Sequence, residues 1–368
     1  MNQATLAVAG SRKTQSIVDA CTNGEIGVRR LVVTYTQSGQ AELESRLRSS
    51  CEPGTVPRVI GWFAFLLQHC IGPYLPLQFA EQRLSGLNFH GNPPRGRYAT
   101  GASRFFDSEG RAYRIHLSKL AYDVSNASRG AVVNRLANIF DEIYIDEVQD
   151  LTGCDLHLVA QLMEEPDLDV YMVGDVRQSV FDTNPQDPNL RQYRGVNMLD
   201  WFELHQTTGL LDVQHNVKTW RANQAIATFS DTLFPSEFVF EPTVSMQNET
   251  TDHDGVFALS EPDVPAYILQ HSPQLLRNSI STVCALELPI HNFGKVKGLT
   301  FDRVLIYPTK SIINFLVDGT ELAPKTACGL YVAVTRAKYS VAFVLPKPSD
   351  TALTHWGESN SPERASTT

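Results

Sequence analysis

The sequence predicts an α/β fold with parallel sheets, divided into two domains. Short apolar runs such as Arg30-Leu31-Val32-Val33-Thr34-Tyr35-Thr36 and Asp169-Val170-Tyr171-Met172-Val173 alternate with amphipathic segments, the pattern of strands joined by crossover helices. Several of these runs end in glycine or acids, which delivers chemistry to the carboxyl edge of a sheet, where open α/β folds bind ligands. A chain of 368 residues also exceeds what one compact core usually holds.

Composition narrows the class. With 42% apolar and 19% charged residues the chain is an ordinary soluble globular protein, and no run approaches the roughly 18 apolar residues of a membrane span. The N-terminus shows no basic segment followed by an apolar region and cleavage site, so a cytoplasmic location is expected. Cys21, Cys51, Cys70, Cys154, Cys284 and Cys328 are scattered with no C-x-x-C pair, which indicates neither a zinc site nor a disulfide framework. A net charge of −9 argues against a wholly basic nucleic-acid coat, although a local groove can be basic on an acidic protein.

The first strand is expected at Thr5-Leu6-Ala7-Val8-Ala9, then Gly10-Ser11-Arg12-Lys13-Thr14 and a helix through Ile17, Val18 and Cys21. Strand, turn, helix is the context of a phosphate-binding loop. Its amides cradle phosphates, Lys13 reaches the β- and γ-phosphates, and the Thr14 hydroxyl ligates Mg²⁺. The loop departs from G-x-x-x-x-G-K-[ST]: Ala7 and Arg12 stand at the two glycine positions. Arg12 must take a backbone conformation that glycine adopts more easily, so weakened nucleotide binding, or a dead site, is one expectation.

A second strand covers residues 30–36, and the apolar run Val59 to Leu67 reads as a core helix. From about 72 to 132 the pattern loosens into an inserted subdomain, with a hairpin around Asp107-Ser108-Glu109-Gly110. It interleaves Arg83, Arg95, Arg97, Arg104, Arg111, Arg114 and Lys119 with Phe89, Tyr98, Phe105, Phe106 and Tyr113. Phosphate contacts with base stacking, or a solvated loop over packed aromatics, both fit that mixture.

A third strand, Ile143-Tyr144-Ile145, ends in Asp146-Glu147-Val148-Gln149-Asp150. Adjacent carboxylates can divide phosphoryl transfer, Asp146 holding Mg²⁺ directly or through water and Glu147 orienting and deprotonating the attacking water. The fourth strand runs into Gly174-Asp175-Val176-Arg177-Gln178-Ser179-Val180-Phe181.

The order GSRKT, VVTYTQS, YIDEVQD, VGDVRQSVF resembles motifs I, Ia, II and III of superfamily 1 helicases of the UvrD/Rep type. The second half continues the resemblance: His215 to Asn223 looks like motif IV, Gly294 to Asp302 like motif V, and Leu330 to Lys338 like motif VI. Gly294 and Thr300 replace the histidine and the ribose-binding glutamate usual in motif V, and the upstream glutamine motif is missing unless Gln3 substitutes.

The resemblance implies two RecA-like P-loop NTPase domains, at 1–205 and 206–346, with an ATP site in the cleft between them; the polar, proline-containing composition of 347–368 predicts a disordered tail. It also implies roles. Glu147, Asp146, Gln178, Arg221 and Arg336 would act on the γ-phosphate and its attacking water. Gly10, Ser11, Arg12, Lys13, Thr14, Trp220 and Gly298 would bind nucleotide, with Trp220 stacking on adenine. Thr34, Trp62, Phe181 and Tyr193 would meet single-stranded DNA, although Asp182 to Gln192 separates Phe181 from Tyr193 where the family keeps its stacking aromatics close. The implied activity is ATP- and Mg²⁺-dependent translocation on single-stranded DNA, with unwinding, in a defence or repair system beside a nuclease. The alternative is a nucleotide-switched DNA sensor that hydrolyses ATP slowly or not at all.

Overall fold

The computed structural model describes residues 1–94, 101–282 and 289–357, so Arg95, Arg97, Tyr98 and Cys284 lie outside the described residues. The chain forms two compact units. Unit one comprises Met1–Leu6, Lys13–Val176 and Phe181–His215; unit two comprises Ala7–Arg12, Arg177–Val180 and Asn216–Thr368.

Unit one contains β1 (Gln3–Ala7), α1 (Lys13–Asn23), β2 (Arg30–Thr34), α2 (Gln37–Ser50), β3 (Arg58–Gly61), α3 (Trp62–Phe65) and α4 (Leu75–Gln78). There follow β4 (Gly86–Asn88), β5 (Arg111–Tyr113), α5 (Leu117–Ala127), α6 (Ala131–Ile139), β6 (Glu142–Asp146), α7 (Cys154–Met163), β7 (Asp169–Gly174), α8 (Met198–Thr207) and β8 (Asp212–Asn216). Its main sheet has the order β3-β2-β6-β7-β1-β8. The strand β1 that precedes Lys13 and the acid-bearing strand β6 are thus separated by β7, and both pair with it in parallel. One face of this sheet is covered by α1 and α2, whose Ile17, Val18, Cys21, Leu43 and Leu47 pack on Val32, Val59, Tyr144 and Val173. The apolar stripes at helical spacing dictate that packing.

Val59 to Leu67 is not one helix. Val59 and Ile60 extend the sheet beside β2, and the chain turns helical only at Trp62, continuing as a π-helical turn over Leu66–Ile71. Two β-branched residues suit a pleated, buried position better than a helix start. The expected hairpin is present but short: Gly110 donates to the Asp107 carbonyl at 3.0 Å in the turn, the Asp107 amide to the Arg111 carbonyl at 3.0 Å and the Tyr113 amide to the Phe105 carbonyl at 2.8 Å, around one antiparallel bridge between Phe106 and Ala112. The ladder partner of β5 is β4, in parallel.

Beneath the sheet edge lies a buried polar knot. Trp62 Nε1 donates to Asp155 Oδ1 at 2.8 Å, and Asn184 Nδ2 donates to Asp155 Oδ2 at 2.7 Å. Burial pushes the Asp155 carboxyl up to about 6, against the lowering effect of these donors.

Unit two contains β9 (Lys218–Thr219), α9 (Gln224–Asp231), β10 (Val244–Ser245), β11 (Gly255–Leu259), α10 (Val264–His271), β12 (Gln274–Arg277), β13 (Ile290–Asn292), β14 (Phe301–Tyr307), α11 (Lys310–Asp318), α12 (Pro324–Val334), β15 (Ala337–Val344) and β16 (Thr354–His355). Its parallel sheet has the order β13-β12-β14-β15-β11-β16. The pair of six-stranded parallel sheets is the RecA-like α/β architecture expected from the sequence. Among the described residues no helix is long and apolar enough to cross a membrane.

Within the described part of the tail expected to be disordered, 347–357, the chain forms β16, and 358–368 lie outside the described residues. Thr354 and His355 add to the edge of β11, and Trp356 packs edge-on against Tyr267 at 5.0 Å between ring centroids. The polar composition concealed this anchor because a single tryptophan supplies most of the buried area. Nearby, His253 stacks between Phe257 and His271 and shares a 2.9 Å hydrogen bond with the Tyr267 hydroxyl.

Burial, then neighbouring positive groups, holds His253 down at about 4, and the same causes hold His69 of unit one at about 4. The unfolded histidines protonate near 6.5, so between about 6.5 and 4 the unfolded chain binds more protons and stability falls as pH falls. Asp155 acts in the opposite sense in unit one, its contribution declining as pH rises from about 4 to 6. Chemical denaturation of unit two at pH 7 and at pH 4.5 should therefore show a loss approaching, as an upper limit, about 3 kcal/mol for His253. The His253→Phe protein should be flatter over that range; an equal slope would remove His253 as the cause.

Candidate nucleotide site and nucleic-acid surface

Strand register places the chemistry of unit one at one sheet edge. Thr5 stands opposite Val173, and Val173 stands opposite Asp146, so the carboxyl ends of β1 and β6 lie on the same edge of the sheet on either side of β7, β1 running two residues past the level of Asp146. Lys13 and Thr14 open α1 shortly after β1. Asp146 is buried, and its Oδ1 accepts the Glu147 amide at 3.0 Å. Glu147 is left-handed (φ 55°, ψ 43°), a conformation that costs a non-glycine residue roughly 1–3 kcal/mol and collects at working sites.

Gln149 determines how that glutamate is held, a role the sequence did not reveal. Its Nε2 donates to Glu147 Oε2, and its Oε1 accepts the Asp175 amide at 3.0 Å. Gly174 is glycine for the same reason, since a Cβ there would lie 2.5 Å from Gln149 Oε1 and 2.8 Å from Val148 Cγ1.

The turn before Lys13 belongs by its contacts to unit two. Thr219 Oγ1 donates to the Ala9 carbonyl at 2.8 Å, the Trp220 amide donates to the Gly10 carbonyl at 2.9 Å, and the Ala9 amide donates to the Tyr331 hydroxyl at 3.1 Å. Gly10 has φ +77°, and a Cβ on it would lie 2.7 Å from both Arg221 Cβ and Thr219 Oγ1, so only glycine fits. Arg12, at the position usually glycine, has φ +65°, and its guanidinium lies 4.2 Å from the centroid of the Trp220 ring. Ser11 Oγ is buried without a hydrogen-bond partner, which fits a turn whose anionic ligand would satisfy it.

Arg221 Nη1 donates to the Thr335 carbonyl at 3.1 Å. Arg336, only 1% exposed, donates through Nε to the Val332 carbonyl (3.0 Å), through Nη1 to the Leu299 carbonyl (3.3 Å) and through Nη2 to Gln178 Oε1 (3.1 Å). Two residues expected at the γ-phosphate are therefore bonded to each other. Leu299 follows Gly298, which takes φ +89°.

Arg177 was not singled out by the sequence. It is buried, pairs with Asp231 at 2.8 Å and lies over the rings of Tyr331 (4.7 Å) and Phe240 (5.0 Å), so it fixes the segment that carries Gln178. Asp231 also receives the Thr243 amide and hydroxyl, each at 2.7 Å.

For metal, Asp146 and Thr14 suit Mg²⁺, which is commonly held by one or two carboxylates with substrate phosphates supplying further oxygens. No group of three or more His, Cys, Asp or Glu able to hold a metal occurs among the described residues, which is compatible with that mode.

The nucleic-acid residues divide. Phe181 is 37% exposed, and Tyr193 is half-buried in a turn over Arg191–Tyr193. The intervening loop is ordered by its own bonds, Arg194 donating to the Asn184 and Pro185 carbonyls at 2.8 and 3.0 Å. Trp62 is 1% exposed and bonded to Asp155, and Thr34 is also buried, with its Oγ1 unpartnered. The expectation that Trp62 faces DNA is thus corrected: the indole is a core donor.

Phe105, Phe106 and Tyr113 of the insertion are buried as well. The aromatic surface lies elsewhere: Phe63 meets Tyr35 at 5.8 Å and Phe89 at 6.1 Å, with Arg114 over the Phe89 ring at 5.2 Å. Phe89 is 51% exposed.

The fold is of the RecA-like α/β class. Residues 81–189, which contain β6 and β7 with their acidic and glutamine-bearing ends, match the model of the UvrD/REP helicase N-terminal domain. That match covers less than a third of the chain. No curated protein matches it. Among solved structures it is similar to Arterivirus nonstructural protein 10 (helicase), at 13% identity and TM-score 0.46 over 95% of this chain and 61% of that one. The same protein in complex with DNA gives 12% identity and TM-score 0.48, over 96% of this chain and 63% of that one. This chain thus spans less than two thirds of the length of either.

Breaking a buried ion pair costs about 3–5 kcal/mol because the partner charge is left uncompensated. Arg177→Ala should lower the stability of unit two toward that range in urea unfolding, the bonds from Thr243 to Asp231 moderating the loss. A change below about 0.5 kcal/mol would show that the pair does not anchor the Gln178 segment.

Proposed function

We propose that this chain is an ATP-dependent translocase on single-stranded DNA, with helicase activity. The observation that carries the reading is that β1 and β6, on either side of β7, run parallel to the same carboxyl edge of the sheet, where α1 with Lys13 follows β1 and the Asp146-Glu147 pair ends β6. In the proposed reaction Lys13 and the loop amides bind the phosphates, Glu147 takes the proton of the attacking water, and Gln149 orients Glu147. Mg²⁺, held by Asp146 and Thr14, would neutralise charge developing on the phosphoryl oxygens. Gln178, Arg221 and Arg336 are assigned to that same charge, and Trp220 to the adenine. Phe181 is assigned to stacking on bases, with Tyr193 beside it in the family scheme. Work beside a nuclease in defence or repair rests on family habit alone.

One observation favours the second reading, a sensor with little turnover: a bulky residue, Arg12, occupies the left-handed position of the phosphate loop. Steady-state ATPase measurement with and without single-stranded DNA decides between them. Under the motor reading Lys13→Ala and Glu147→Gln each remove most turnover; wild-type turnover no higher than that of Glu147→Gln would establish the sensor. Arg221→Ala should depress turnover more than ATP affinity, since its proposed partner is charge that develops in the transition state. Tenfold weaker ATP binding with intact turnover would reverse that assignment.

For the nucleic acid, Phe181→Ala should weaken single-strand binding by about 1–3 kcal/mol with little dependence on base sequence. Phe89→Ala tests the aromatic surface beside Arg114 in the same way. Unchanged affinity in a normally melting Phe181→Ala protein would exclude that ring from the DNA path.

A further inference from the structure

We infer that Arg12 is a plug on the base-binding part of the nucleotide site: in the free protein its guanidinium occupies a face of Trp220 that the base of a nucleotide must take over. The inference rests on the proposed role of Trp220 as the base-stacking residue and adds to it a competitor supplied by the chain itself.

The geometry is specific. Arg12 Cζ lies 4.2 Å from the Trp220 centroid. A base between them would need two stacking separations, about 7 Å in all. The backbones of the two residues are not free to part, because the Trp220 amide is bonded to the Gly10 carbonyl at 2.9 Å and Thr219 to the Ala9 carbonyl at 2.8 Å. Space for a base on that face must therefore come from the Arg12 side chain, which is exposed and free of a carboxylate partner among the described ion pairs. Its φ of +65° is one that L residues avoid, so a glycine would sit there with less strain. Arginine at this position fills a place the loop does not require a side chain to fill, and the stack on tryptophan is what that side chain makes. Such a cation–π contact at an exposed site is worth a two- to fivefold factor, about 0.5–1 kcal/mol.

The test compares ADP with inorganic pyrophosphate, both with Mg²⁺, by titration calorimetry on wild type, Arg12→Gly, Trp220→Ala and the double variant. A plug predicts that Arg12→Gly tightens ADP about two- to fivefold, that pyrophosphate is bound no more tightly, and that the gain vanishes in the Trp220→Ala background. Thermal melting of Arg12→Gly at or above wild type confirms that the loop is intact. Weakening of ADP and pyrophosphate alike would make Arg12 a phosphate ligand, and weakening of ADP alone would make it a support for the base; either overturns the plug, as does unchanged ADP affinity. A wild-type protein that binds neither probe would instead remove the nucleotide site itself, and the plug with it.

Discussion

The conformation of the loop before Lys13 depends on the carbonyl groups of Ala9 and Gly10. Each accepts a hydrogen bond from the stretch Thr219-Trp220. A trans peptide points its amide away from its carbonyl, so fastening the Ala9 oxygen also fixes the direction of the Gly10 amide. A phosphate loop functions through its amides, and in this chain their orientation is fixed by residues more than two hundred positions downstream. The same fastening brings Trp220 against the loop and leaves Gly10 no alternative to glycine.

Arginine has two distinct uses here. Arg336 and Arg177 are buried and committed to carbonyls, a glutamine or an aspartate, where the planar fork satisfies several acceptors at once. They give unit two its internal order around Gln178. Arg12 and Arg114 lie over aromatic rings, a use that Arg177 combines with its ion pair. A lysine would serve poorly in either setting, lacking both the fork and the flat face.

The legible part of the sequence was local. Alternating apolar runs, the glycine and acid punctuation after strands, and motif order yielded the two parallel sheets and the placing of Asp146 and Glu147 at the end of β6. What remained hidden depended on distant partners. Trp62 suits a base-stacking surface or a buried donor equally well until Asp155, which lies on another helix, is brought to it. The clamp of Gln149 on Glu147 requires the end of β7, and the burial of Arg177 requires Asp231 and two aromatic rings. Val59 to Leu67 hides a boundary because β3 ends at Gly61 and α3 begins at Trp62 with no residue between them. The anchor at Trp356 was missed because composition averages over neighbours, and one ring can hold a segment that is otherwise polar.

Strand β16 carries a consequence for how the second unit is made. Its neighbour β11 is synthesised about a hundred residues earlier, and β15, on the other side of β11, is complete before β16 appears. On the ribosome, then, one rim of the sheet waits bare, with backbone donors and acceptors exposed, until Thr354, His355 and Trp356 clear the exit tunnel. Unpaired rims recruit foreign strands. Interrupted synthesis, or a cut between Val344 and Thr354, would leave a sheet that is nearly whole yet adhesive, and self-association of such fragments would be the first sign of its loss.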